Sequence, residues 1–283
     1  MTVAVIADSA ASLPPHLAER WGIGVVPLQV VVDGDARAEG VEIGPAEVVD
    51  HLRAGTDVST SQPTPAAFDQ AIATAVAAGA RRIVLLAMSG ALSGTCEAAR
   101  AAAGRAAVPV EVVDTRTVAM ASGFAAIAAA QAAAAGAEAA EVAAVARAVS
   151  AGSRCVFTVE SVEHLRRGGR VGPAVAAVGR VLGIRPVLEV RDGEVVLASR
   201  VRGLARARAA LHAAVDDALA RCARPAVAVM GVGAAEQAAS VAAEIEARHP
   251  DVAPVTVAEV SAVLAVHVGP GTLAAVVADL AAV

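Results

Sequence analysis

Short apolar runs alternate with amphipathic or alanine-rich stretches through the first half of the chain. Residues 3–7 are uninterruptedly apolar and end at Asp8-Ser9, which predicts a buried strand running into a loop. Pro14 opens a helix, where its missing N–H is no loss. Residues 24–32 predict a second strand, closed by the turn pair Asp33-Gly34. Helices are predicted over 45–54 and 65–78, a third strand over 82–86, and a helix from Thr95 after the loop 89–94. A fourth strand over 110–113 precedes an alanine-rich helical stretch, 119–150, broken near Gly136. Such alternation predicts an α/β fold: a three-layer α/β/α domain with a mostly parallel sheet.

The pattern changes near Gly152. Strands over 184–191 and 194–200 flank Asp192-Gly193, a strong hairpin signal. A helix over 204–221, a strand over 226–232, a helix over 234–248 and a strand over 255–260 follow. This half reads as an α+β domain with antiparallel pairing. The expected division is 1–152 and 153–283, which matches the two domains that 283 residues suggest at roughly 150 per domain.

Composition narrows the function. Hydrophobic residues make up 57% and charged ones 18%, which excludes a disordered chain. The net charge of −5, with no dense basic cluster, argues against a nucleic-acid partner, as does the scarcity of aromatic rings for base stacking. Lys, Asn and Tyr are all absent; they share A/T-rich codons, so a GC-rich genome explains the bias. Without Lys there is neither a Walker-type phosphate lysine nor a Schiff-base amine. Cys96, Cys155 and Cys222 are scattered, with no CxxC and no HxxxH, so neither disulfides nor a metal site is expected. Residues 117–137 carry no charge but are built of small residues, so a packed interior helix is expected there and no membrane span. The first ten residues lack a basic region and reach Asp8 early, so no signal peptide is expected and a cytoplasmic location is.

Four polar segments interrupt the apolar pattern. Thr60-Ser61-Gln62-Pro63-Thr64-Pro65 places hydroxyls ahead of a Pro-initiated helix, as an ordinary cap or as a ligand site. Ser89-Gly90-Ala91-Leu92-Ser93-Gly94-Thr95 lies between a strand and a helix, where open α/β sheets bind ligands. Gly94 allows close backbone approach, and Ser93 and Thr95 offer hydroxyls suited to an anion. In Leu165-Arg166-Arg167-Gly168-Gly169-Arg170, with Arg200 and Arg202 further on, Arg170 could face a carboxylate or phosphate. His267-Val268-Gly269-Pro270-Gly271-Thr272 reads as a sharp turn before a helix, preceded by a lone His. No spacing assembles Asp8, Asp114 and His267 around Ser93 as a triad. A small-molecule phosphotransferase or phosphatase, using the Ser/Gly loops as a phosphate site, is the alternative reading. It would normally require an acidic Mg²⁺ cluster or a Lys.

Taken in order, these segments resemble the DegV family of bacterial fatty-acid-binding proteins. The matching pieces are Asp8-Ser9 with Leu13-Pro14, Thr60 to Pro63, Ser89 to Thr95, Asp114-Thr115, Ser122-Gly123, Glu163 to Arg170, Ile184-Arg185-Pro186 and His267 to Gly271. The resemblance implies a two-domain α/β protein that is a lipid carrier, with no catalytic residues and no cofactor. It would hold one long-chain fatty acid in an apolar tunnel between its domains and present the carboxylate to a separate ATP-dependent kinase that forms an acyl phosphate for phospholipid metabolism. The family's head-group ligands fall on Thr60, Ser61, Ser93, Gly94 and Thr95, with His267 close by. Arg170 and Arg202 look like the family's basic residues at the cleft mouth, on the kinase-facing side. Nucleic acid and integral membrane contact are not implied. Cys96 stands where the family commonly has Tyr, which places it in the expected pocket lining.

Overall fold

The computed structural model describes residues 3–172, 175, 184–252 and 254–281. Four parallel strands form its first sheet: β1 (Val3–Asp8), β2 (Gly24–Val26), β6 (Arg82–Ala87) and β7 (Val110–Asp114), in the order β2-β1-β6-β7. The two central strands are the least interrupted apolar runs and are buried on both faces, as a covered parallel sheet demands. Helices α3 (Pro65–Ala77) and α4 (Thr95–Ala103) cover one face, where Phe68 and Ile72 pack on Ile6, Ile83 and Leu85. Helices α5 (Met120–Ala134) and α6 (Ala139–Gly152) cover the other, so the predicted three-layer arrangement is present.

Residues 24–32 are not one strand. The chain leaves the parallel sheet after β2, passes through Pro27 and Leu28, and enters β3 (Gln29–Val32) of a separate antiparallel sheet. Pro27 has no N–H for a ladder and restricts the residue before it, so it marks the exit. That sheet has the order β4-β3-β5, with β4 (Asp35–Ala38) and β5 (Val58–Ser61) flanking β3. Asp33 and Gly34 join β3 to β4 with positive φ at both positions, the geometry a tight hairpin requires. Asp35-Ala36-Arg37-Ala38 and Val58-Ser59-Thr60-Ser61 lack an apolar run, so the local pattern carries no strand signal for β4 and β5.

The second half forms a six-stranded sheet in the order β10-β9-β8-β13-β11-β12. It contains the expected hairpin of β9 (Ile184–Arg191) and β10 (Glu194–Arg202), plus β8 (Arg154–Thr158), β11 (Pro225–Gly231), β12 (Thr256–Glu259) and β13 (Leu273–Asp279). All neighbours are antiparallel except β11 and β12, which a helical crossover makes parallel. Helices α8 (Leu204–Leu219) and α9 (Ala235–Arg248) cover its outer face. Between β8 and β9 lies the short helix α7 (Glu163–Arg167). Two elements depart from the pattern. Residues 269–271 do not precede a helix: they follow α10 (Ala262–Val268) and lead into β13. Ser261 caps α10 by accepting from the Leu264 N–H, and Gly269 ends it at φ +78°. Leu273–Asp279 is an apolar run of the kind periodicity cannot distinguish from a buried helix.

The alanine-rich helices lie between the two sheets. Helix α5 packs on β1 and β6 from one side and on β8 and β13 from the other. Ala125, Ala126, Ile127, Ala128 and Ala129 point in successive directions around its axis and all are buried. This is the packed interior helix expected for 117–137, and among the described residues no helix is long and apolar enough to cross a membrane. A methyl side chain on every face lets both sheets close on the backbone. Ala128→Leu should therefore lower unfolding stability by about 1–3 kcal/mol through overpacking, read as a lower urea midpoint with an unchanged m-value.

Candidate functional site

The carboxyl ends of β1, β6 and β7 lie along one edge of the parallel sheet, and the loops leaving them meet the six-stranded sheet there. Asp8 ends β1 fully buried: its two carboxylate oxygens accept from Ala10 N–H (3.0 Å) and Met88 N–H (2.7 Å), so it ties the β1 loop to the end of β6. Burial pushes its pKa up to about 7 against the pull of those two donors. Ser89, also fully buried, donates to the Gly193 carbonyl at 2.7 Å, and Arg116 donates to the Asp192 carbonyl, so the β9–β10 turn docks onto the loops of the first half.

A cavity opens where these parts meet. Its walls are apolar: Met88, Leu92 and Val118 from the parallel-sheet loops, Phe157, Val190 and Val195 from the six-stranded sheet, and Val263 and Leu264 from α10. Cys155 also lines it, and burial pushes that thiol up to about 12, so it is a neutral, apolar wall. Cys96 does not line it. It lies in the core between the parallel sheet and α3/α4, because its place on α4 turns it toward that core.

The polar groups that line the cavity are Thr60, Ser61, Ser93, Arg170, His267 and Thr272. Thr60 Oγ1 lies 2.8 Å from His267 Nε2, joining β5 to the last turn of α10. Ser93 Oγ lies 2.8 Å from Thr95 Oγ1 and accepts from the Thr95 N–H. Arg170 Nε donates to the Leu92 carbonyl at 3.1 Å and its Nη1 to the Gly168 carbonyl, and no carboxylate holds it among the described residues. Thr272 turns its hydroxyl to the Val268 and Gly269 carbonyls, which locks the turn after α10 and leaves that side of the cavity apolar.

Two glycines allow this closure. A Cβ at Gly94 would stand 2.1 Å from the Gln62 amide nitrogen, so the group that approaches Gly94 is Gln62, and the two hydroxyl motifs lock together there. A Cβ at Gly168 would stand 2.3 Å from His267 Nδ1, so Gly168 lets the end of α7 close over the imidazole. His267 Nδ1 is buried without a hydrogen-bond partner among the described residues. Burial, with Arg170 and His164 nearby, holds the His267 pKa down at about 4, so the ring is neutral at physiological pH.

Of the sequence-predicted residues, the structure brings Thr60, Ser61, Ser93, Arg170 and His267 to one cavity. Thr60 and Ser61 stand on strand β5, whereas the helix cap is Thr64, whose hydroxyl accepts from Ala67 N–H. Gly94 is the N-cap of α4, and Thr95 is fully buried and supports Ser93 from behind. Arg202 lies exposed at the end of β10, away from the cavity lining. Glu39 was not anticipated. Buried behind α10, it accepts from the Ser9 hydroxyl and from Val263 N–H in the first turn of that helix, and burial pushes its pKa up. No local signal marks it, since Glu39 meets α10 only through the fold.

A family model described as an uncharacterised protein of the DegV family matches residues 2–279. A DegV domain-containing protein of Streptomyces coelicolor is 40% identical over 277 residues, covering 98% of each chain. One from Deinococcus radiodurans is 36% identical over 285 residues, covering both chains fully. Among solved structures, one described as showing fatty acid binding of a DegV family protein from Thermus thermophilus superposes with a TM-score of 0.91 at 32% identity, covering 99% of this chain and 100% of that one. DegV from Bacillus subtilis, described as a fatty acid binding protein, gives 0.88 at 25% identity over 99% of each chain.

The depressed pKa of His267 carries a pH signature. Below about 6.5 the unfolded chain takes up a proton that the folded chain refuses until about 4, so the stability contribution is present above that window and lost as the pH falls through it. Between about pH 7 and about pH 4.5 the wild type should lose roughly 2–3 kcal/mol relative to His267→Gln, measured by paired urea denaturation at each pH.

Proposed function

This chain belongs to the DegV family, and from that premise we propose that it binds one long-chain fatty acid in the cavity between the parallel and six-stranded sheets. The two halves flanking it are residues 1–152 and 153–283. The observation that carries the reading is the mixed character of a single cavity: walls that are mostly apolar, with Thr60 in contact with His267 and the Ser93 loop held against the 60–62 segment through Gln62 and Gly94. Each sequestered methylene contributes about 0.8 kcal/mol, so about fourteen of them give on the order of 11 kcal/mol before association costs. The chain thus supplies affinity and the polar groups set direction.

A carboxylate beside those groups must exchange water for donors. In the neutral His267 tautomer that carries its proton on Nε2, the ring donates to Thr60 Oγ1 and frees the Thr60 hydroxyl proton for a carboxylate oxygen. Ser93 and Ser61 supply further neutral donors, while Thr95 and Gly94 shape the loop that carries Ser93. Neutral donors hold a carboxylate less firmly than a direct bidentate Arg pair. That suits a carrier which surrenders its head group, so the protein is a binding subunit with no chemistry of its own. A separate, ATP-dependent kinase would phosphorylate the presented carboxylate in the cytoplasm, with Arg170 and Arg202 on the side that meets it.

Organic extraction of the freshly purified protein, followed by mass spectrometry, should yield about one long-chain fatty acid per chain. Delipidated protein should rebind palmitate, and Ser93→Ala should weaken that binding about tenfold or more, the usual loss for a hydrogen bond to a charged group. Absence of lipid together with no palmitate binding would overturn the reading. Presentation is checked separately: with palmitate saturating, Ser93→Ala should lose acyl-phosphate formation by the partner kinase, and unchanged phosphorylation removes that step.

A further inference from the structure

Behind the turn that follows His267 lies a second cavity, which shares only Val268 with the apolar one. Its chemistry is the opposite. Arg53 from the last turn of α2 (Pro45–Ala54), His164 from α7 and Arg185 from β9 all line it, with Gln237 from the first turn of α9. From these groups we infer that this pocket is an anion site, built to take a phosphoryl group.

Several donors there are unused. Arg185 Nη2 pairs with Glu160 Oε1 at 3.2 Å, but its Nη1 is buried with no hydrogen-bond partner among the described residues. A buried N–H of a charged group without an acceptor is costly and rare, and a ligand oxygen would remove that cost. Arg53 makes no hydrogen bond or ion pair among the described residues, and its Nη2 lies 3.3 Å from where a Cβ on Gly233 would stand, so the guanidinium lies over that glycine. The His164 ring likewise has no hydrogen bond among the described residues and is packed against Gly269, where a Cβ would come within 2.5 Å of it.

The charge balance favours an anion. Two guanidinium groups face one carboxylate, Glu160, whose side chain is 58% exposed and screened by water. A carboxylate ligand brings one charge and two acceptor oxygens. A phosphoryl group brings nearly two charges and three oxygens, which matches two guanidinium forks with a neutral imidazole and an amide beside them. The site is independent of the fatty-acid reading, since none of these donors lines the apolar cavity. Two sources share the chemistry: free phosphate and a phosphate monoester.

Isothermal titration of the full-length protein with sodium phosphate, at ionic strength matched by sodium chloride, tests the site. Saturable one-to-one binding is expected, weakened about tenfold or more in Arg185→Met and in Arg53→Met, since each removes a charge-assisted contact. Arg200→Met, an exposed change on β10 outside the pocket, should leave it unaltered. If Arg185→Met does not fold, Arg53→Met on the exposed end of α2 decides alone. A second titration with phenyl phosphate separates the sources: tighter binding than inorganic phosphate indicates a monoester ligand, and equal or weaker binding indicates free phosphate. No saturable phosphate binding through the millimolar range, or binding undiminished in Arg53→Met, overturns the proposal.

Discussion

The hydrogen bond between Thr60 and His267 joins residues 207 positions apart, and the polar groups of the apolar cavity are organised around it. Thr60 comes from a three-stranded sheet, and His267 from the final turn of a short helix packed against that sheet, α2 and α7. Neither group would remain dry on its own. The imidazole stays neutral because burial, with Gly168 close against it, desolvates it and the nearby Arg170 and His164 disfavour a further positive charge, and a neutral ring can share a proton with a hydroxyl at little cost. Gln62 against Gly94, and Arg170 against the Leu92 carbonyl, then bring the Ser93 loop to the same place.

This junction needs two sheets at a set separation, and the alanine layer provides it. Larger side chains on α5 would push the parallel and six-stranded sheets apart at the edge where Ser89 reaches Gly193. The cavity is therefore the space left where the alanine layer ends and the loops begin. Its walls need no special residues beyond Val, Leu and Phe, because burial of methylenes is non-directional.

Two buried carboxyl groups brace the loops from behind. Asp8 holds the start of the Ser89 loop through Met88 N–H, and Glu39 holds the first turn of α10 through Val263 N–H. Each is a local acceptor for backbone donors that burial would otherwise leave unpaired. Their raised pKa values are the cost of that placement, with desolvation of the carboxylates as the main cause in both.

Much of the architecture was legible locally. Apolar runs of five or six residues, Pro-initiated helices and the Asp33-Gly34 and Asp192-Gly193 pairs act over a few residues, so β1, β6, both hairpin turns and the alanine helices could be read directly. The motifs around Thr60, Ser93 and His267 were visible as polar interruptions, and their order carried the family resemblance. Tertiary structure alone decided the rest. Leu273–Asp279 became a strand because β8 and β11 flank it, and β5 because β3 offered an edge. Glu39 became a helix support, and Arg185 a guanidinium with a free buried nitrogen, only through partners far along the chain. Local sequence sets backbone preference and apolar period, whereas desolvation and hydrogen-bond satisfaction belong to neighbours that only the folded chain assembles.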